Sequence, residues 1–133
     1  MQARLYLNLG VTKENTKHFD EAINYYETAI KVCRSNELFE LHHQCLIASG
    51  FSYSIRKDDD VMAQAQFNAA LEVAKRIQDK HEKTCETLLA KSVLFVKNAD
   101  FQSAKQVLKR AYKLKSPNKS DGEQLMKNLK VGE

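Results

Sequence analysis

Apolar and small residues along this chain are spaced so that they share helix faces. In the run FDEAINYYETAI, for example, Ala22, Tyr26 and Ala29 lie four and three residues apart, which places them on one side of an α-helix. Only four glycines and one proline are present, so turn residues are too scarce for a strand-rich sandwich or barrel. The pattern predicts helices at about residues 2–15, 19–34, 37–55, 61–78, 81–97 and 101–115.

The pattern repeats along the chain. Two sets of alanines have members 41 residues apart: Ala22, Ala63 and Ala104, and then Ala29, Ala70 and Ala111. The larger residues between them share that period, and the small residues of the preceding helices fall at 40 and 42: Tyr26, Phe67 and Leu108, and then Gly10, Gly50 and Ser92. Such a repeat predicts three similar helical units, at about residues 3–34, 43–77 and 85–114.

Each predicted unit is an antiparallel pair of helices. Small residues at a helix crossing let the two axes approach to about 8–10 Å, and the neighbouring aromatic or leucine fills the space beside them. The sequence therefore predicts an all-α solenoid of three long helix pairs with a period of 41 residues, forming a single domain over 1–133. Because the chain begins directly in the first helix of a unit, it is also expected to be a piece of a longer array.

Polar residues mark the ends of the predicted helices. Asp100 and one residue of the triplet 58–60 are placed as N-caps. We prefer capping to a divalent-metal site for the triplet. Pro117 ends the array, and Ser120 with Glu123 has the spacing of a capping box. A terminal helix at about 120–131 is expected to cover the apolar end of the third pair, because repeats bury their cores against neighbours.

Catalytic and metal-binding patterns are missing from the sequence. It has no glycine-rich phosphate loop, no Gly-x-Ser-x-Gly elbow and no His-Glu-x-x-His motif. His42 and His43 diverge by about 100° on a helix, so they do not form a metal site with Cys45. The three cysteines are widely spaced and odd in number, which favours reduced, buried thiols in an intracellular protein. We therefore predict a non-enzymatic protein with no metal and no cofactor.

The first unit resembles the tetratricopeptide repeat. The family's signature positions hold Tyr6, Leu9, Gly10, Phe19, Ala22, Tyr26 and Ala29. The usual repeat has 34 residues, so a period of 41 implies longer helices. The resemblance implies a superhelix whose inner wall is lined by the first helix of each pair. On that geometry the wall residues are Arg4, Leu7, Asn8, Val11, Glu14, Gln44, Ile47, Ala48, Phe51, Glu86, Leu89, Val93 and Val96.

This wall is rather apolar with a few polar anchors, as expected for docking an extended peptide or a helix. The alternative is that some of these residues pack against each other in a short array. The chaperone-tail carboxylate clamp of the family does not fit, because hydrophobic or acidic residues stand at its basic and amide positions. Those positions read Leu7, Val11, Ala48, Glu86 and Ala90.

Three longer segments, ARLYLNLG, NELFEL and ADFQSAKQVLKRAYKL, resemble the N-terminal repeat region of the Tonsoku-like family. The resemblance implies a nuclear scaffold that binds histones and repair factors and promotes homologous recombination at damaged replication forks. In plant relatives the repeat region itself binds a histone tail, so the groove residues are candidates for that role. The alternative is a generic tetratricopeptide adaptor that holds an unrelated peptide or helix in its concave groove.

Charge is distributed unevenly along the chain. Eight lysines or arginines and two acids lie between Lys105 and Lys130, whereas the rest of the chain carries 13 basic and 15 acidic residues. This basic segment would repel a basic histone tail unless it faces away from it. Clusters of lysine and arginine neutralise phosphates, so a nucleic-acid-binding module is a third hypothesis, but we prefer a solvated basic helix for this segment. No run of apolar residues is long enough for a membrane span, so no membrane partner is predicted.

Overall fold

The structure is a computed structural model that describes residues 2–115. Within this range all regular elements are helical, and a short π-helical segment, Ser52–Arg56, continues the third helix. The six α-helices are α1 Gln2–Asn15, α2 Phe19–Ser35, α3 Phe39–Phe51, α4 Asp60–Ala74, α5 Lys80–Lys97 and α6 Phe101–Lys115. The predicted all-α fold is confirmed. None of these described helices combines the length and apolar character needed to cross a membrane.

Two compact units divide the chain: unit 1 is Met1–Gln78 and unit 2 is Asp79–Glu133. In unit 1, α2 packs against both α1 and α3, and α3 packs against α4. In unit 2, α5 packs along α6. The single domain over 1–133 and its repeat boundaries stay predictions. The terminal helix proposed at 120–131 lies outside the described residues.

Small residues lie where the helices approach most closely. The six alanines of the repeat pattern are all buried: Ala22, Ala29, Ala63, Ala70, Ala104 and Ala111. A Cβ atom added to Gly10 would lie 2.5 Å from Cε1 of Tyr26, and one added to Gly50 would lie 2.5 Å from Cε1 of Phe67. These glycines are therefore required because an aromatic ring of the neighbouring helix occupies the space of a side chain.

Very short links join the helices. Lys17, Asp58 and Ala99 have φ angles of 66°, 52° and 59°, in the left-handed region, and lie 41 residues apart. The His18 N–H donates to the Lys13 carbonyl at 2.8 Å, and the Asp100 N–H donates to the Phe95 carbonyl at 2.9 Å. Bonds of this span close the end of a helix around one left-handed residue. The next helix then begins two residues after that residue.

The predicted caps are in place, whereas two predicted helix ends differ. Asp59 accepts from the Met62 N–H and Asp100 accepts from the Ser103 N–H, both at 3.1 Å. The third helix, predicted to reach residue 55, keeps α-helical geometry only to Phe51 and continues as the π-helical segment. The fourth, predicted to reach 78, ends at Ala74 because the following N–H groups bond three residues back and tighten the turn.

Replacing Ala104 by leucine tests the close packing of unit 2. Ala104 is 3% exposed, so the added atoms have no free space, and we expect the free energy of unfolding to fall by about 1–3 kcal/mol. Chemical denaturation measures the difference. Gln106→Leu is the matched control, because Gln106 is exposed on the same helix. Equal effects of the two substitutions would show that the alanine position is not a tight contact. Ala22→Leu is expected to act in the same way in unit 1.

Candidate functional site

The structure divides the predicted wall residues of α1 into two groups. Arg4, Asn8 and Val11 are exposed and share a face, because they are spaced by four and three residues. Leu7 is only 3% exposed and belongs to the apolar core of unit 1. The exposed row is therefore available to a partner, whereas Leu7 packs in the core beneath the row and is not accessible.

Glu14 connects three elements of unit 1. Its carboxylate accepts hydrogen bonds from the Tyr26 hydroxyl at 3.1 Å and from the Ser52 hydroxyl, and Arg56 Nε lies 3.7 Å away. Burial, and then the charge of Glu14, raise the pKa of Tyr26, so its hydroxyl stays protonated and donates. The structure thus places Glu14 in a bonded network between α1, α2 and the π-helical segment.

The predicted residues of α3 are exposed to different degrees. Gln44 is exposed, whereas Ile47 is partly buried and packs against the core of unit 1. Phe51 is also partly buried, and its ring meets that of Phe67 edge to face at a centroid distance of 5.4 Å. Ile47 and Phe51 therefore have structural contacts of their own beside any contact with a partner.

A second carboxylate network was missed by sequence reasoning. Glu27 accepts from the Gln66 side-chain amide at 2.8 Å and from the Tyr53 hydroxyl at 3.3 Å, so it joins α2 to α4 and to the π-helical segment. Burial and the charge of Glu27 raise the pKa of Tyr53 to about 12. Glu14 and Glu27 lie in different helices and outside the repeat pattern, so no spacing signal would have paired them with these hydroxyls.

The buried thiols and imidazoles of unit 1 are part of its core. Cys33 and Cys45 share a side-chain hydrogen bond, and burial raises the pKa of Cys45 to about 12 and also raises that of Cys33. Burial, and then the charge of Arg34, lower the pKa of His42. No group of three potential metal ligands occurs within residues 2–115. Because a thiolate is the reactive form, these thiols are poor nucleophiles.

The predicted residues of α5 form an exposed row in unit 2. Leu89 is 37% exposed and Val93 is 50% exposed, and Val96 continues the row one turn later. Glu86 is exposed and its carboxylate lies 3.5 Å from Lys83 Nζ. A cavity of about 430 Å³ opens beside the row, lined by His81, Glu82, Cys85, Glu86, Leu89 and Leu114. Unit 2 thus presents an apolar row with an acidic group at one end.

Comparison with known families defines the class of protein. Residues 3–36 match the tetratricopeptide repeat family. Residues 3–36 therefore form a tetratricopeptide repeat within an all-α fold, and repeats of this kind typically serve as non-catalytic interaction modules.

Curated relatives place the chain more narrowly. It is 44% identical over 98% of its length to the Tonsoku-like protein of Drosophila melanogaster, and 29% identical over 98% to that of Danio rerio. It is 30% identical over 87% of its length to the Tonsoku-like protein of Bos taurus. We assign the chain to a tetratricopeptide repeat region of the Tonsoku-like family. It spans about 8–9% of the length of these relatives. The fold and these relatives support a protein-interaction scaffold.

Proposed function

We propose that exposed residues of α1 and α3 in unit 1, and the exposed row of α5 in unit 2, bind peptide segments of partner proteins, histone tails and replication-fork repair factors among them. The chain then acts in the nucleus, in replication-coupled DNA repair by homologous recombination. The observation that carries the proposal is the exposure of apolar side chains on first helices of pairs. Val11, Leu89 and Val93 are 43%, 37% and 50% exposed, although each belongs to a helix with a buried opposite face.

The apolar row of α5 supports peptide binding for a physical reason. Side chains exposed at intervals of three and four residues on a helix present a continuous apolar strip, and a peptide that covers the strip removes it from water. Within unit 1, the exposed polar side chains Arg4, Asn8 and Gln44 can fix the direction of a bound backbone by hydrogen bonding. This combination of a strip and a few donors is typical of a peptide-binding surface.

Electrostatics favours Glu86 over Glu14 as a partner for a basic tail. Glu14 is engaged with Tyr26 and Ser52, so binding a ligand cation there would compete with the packing of unit 1. Glu86 is exposed and holds only a surface ion pair with Lys83, three residues away on the same helix. Surface ion pairs of this kind contribute about 0–1 kcal/mol to stability. A lysine or arginine of a partner can therefore replace Lys83 beside Glu86 with little loss of free energy.

Truncating the row on α5 tests the proposal directly. The double variant Leu89→Ala, Val93→Ala is expected to weaken binding of a histone-tail peptide about tenfold, or 1.4 kcal/mol, because both side chains lose their contact with the peptide. Isothermal titration calorimetry of the full chain with histone H3 and H4 tail peptides measures the change in affinity. Alanine favours helix, so both substitutions should preserve α5.

Val61→Ala is the matched control, because Val61 is 81% exposed on α4, a second helix of a pair. It should leave peptide affinity unchanged. Saturable binding of another peptide but not of histone tails would contradict the histone assignment and favour the generic adaptor. Equal losses from Val61→Ala and from the double variant would remove α5 from the binding surface.

A further inference from the structure

The solvent face of α6 is strongly basic. The helix contains five lysines or arginines and no acidic residue. Spacing by four and three residues aligns Gln102, Gln106, Lys109 and Lys113 along the side opposite the buried Ala104 and Ala111. Arg110 is exposed at the edge of this face. All five of these exposed side chains are polar, and three of them are cationic.

The part of the chain that contains this face is itself strongly basic. Residues 79–115 contain nine basic and four acidic residues, a net charge of +5, whereas residues 1–78 contain nine and ten, a net charge of −1.

Like charges come close to each other around this face. Lys109 and Lys113 are four residues apart on one helix, an arrangement that disfavours the helix by about 0.2–0.5 kcal/mol. Burial, and then the positive charge of Arg110 on α6, lower the pKa of Lys91 on α5, so cations of the two helices act on one another. Surfaces that serve only solubility usually mix both signs of charge. An anionic partner would relieve this repulsion.

We propose that the solvent face of α6 binds the phosphate backbone of nucleic acid. Lysine and arginine neutralise phosphates, and glutamine can donate to phosphate oxygens, so every exposed side chain of the face suits this ligand. Lys109 and Lys113 are about 6 Å apart along the helix axis, which allows them to contact different phosphates.

A backbone ligand fits the face better than an acidic peptide. Protein partners are usually anchored by apolar or aromatic side chains at the centre of the interface, and the centre of this face has none. The aromatic residues of α6, Phe101 and Tyr112, are about 100° from its midline on the helix, so they do not form a stacking platform for bases. Binding is therefore expected to be independent of base sequence.

Charge reversal combined with a salt titration tests the proposal. The full chain is titrated into a fluorescein-labelled DNA duplex of about 20 base pairs, and fluorescence anisotropy gives the affinity between 50 and 200 mM salt. Three phosphate contacts predict a slope of about −2.7 for log K against log salt concentration. The variant Lys109→Glu, Arg110→Glu, Lys113→Glu is expected to lose at least tenfold in affinity at 50 mM salt.

The matched control reverses three cations of unit 1, Lys31→Glu, Arg34→Glu and Lys75→Glu, for the same change in net charge. It should retain most of the affinity. If the three glutamates disturb α6, the variant Lys109→Gln, Arg110→Gln, Lys113→Gln repeats the test, because it removes the positive charges without adding negative ones. Equal losses from both reversals, a flat salt response, or tighter binding of a polyglutamate peptide than of DNA would each overturn the proposal.

Discussion

Phe67→Ala is expected to lower the free energy of unfolding by about 3–5 kcal/mol, because the ring is fully buried and its removal leaves a cavity. The ring packs over Gly50 of α3 and against Phe51, so it fills the crossing between α3 and α4. Denaturant unfolding followed by circular dichroism measures the loss. An effect below about 1 kcal/mol would mean that the two helices are not held together by this ring.

A second substitution separates loss of the ring from general damage. Gly50→Leu alone should also destabilise the chain, because even a Cβ at this position would lie 2.5 Å from the Phe67 ring. In the double variant Gly50→Leu, Phe67→Ala, the new leucine can occupy the space that the ring has left. The loss of unfolding free energy in this variant should therefore be smaller than the sum of the two single losses by about 0.5 kcal/mol or more. Strict additivity would contradict the contact.

Glu14→Leu is expected to destabilise unit 1 by about 1–3 kcal/mol for each hydroxyl that loses its acceptor. The hydroxyls of Tyr26 and Ser52 both donate to this carboxylate, and both residues are buried, so water does not easily replace it. Arg56 also loses its nearby charge. The change is measured as the denaturation midpoint and slope in urea, with far-ultraviolet circular dichroism as the probe.

Glu72→Leu provides the control for this substitution. Glu72 pairs only with Lys75 three residues away, and both side chains are well exposed, so its loss should cost less than about 1 kcal/mol. Glu14→Gln keeps an acceptor oxygen, so its destabilisation should lie between those of Glu14→Leu and Glu72→Leu. A Glu14→Leu variant as stable as Glu72→Leu would show that the network does not hold α1, α2 and the π-helical segment together.

Most of the fold could be predicted from sequence because its signals are local or periodic. Ala22 and Ala63 mark buried helix faces at a fixed spacing, and Asp100 marks a helix start through a preference that depends on only a few residues. The π-helical geometry after Phe51 could not be predicted, since it depends on tertiary contacts. The left-handed residues were also missed, because Lys17 and Ala99 are not of the type that favours this conformation.

The candidate site was predicted less completely than the fold. Helix spacing indicates which residues share a face, and the rows around Asn8 and Val93 are exposed, while their role as a peptide-binding groove stays a prediction. The same spacing does not say how deep a residue at the edge of the row lies. Leu7 and Glu14 are at such an edge, and the packing of α1 on α2 engages both in unit 1.

The links around Lys17, Asp58 and Ala99 also restrict how the chain can change length. Only two residues, the second of them left-handed, lie between the end of one helix and the N-cap of the next, so the connection has little slack. Inserting or deleting one residue there would disrupt the backbone hydrogen bond that spans the left-handed residue and would displace the following helix, with its alanines, from the interface. Insertions and deletions are therefore expected to be poorly tolerated at these three links.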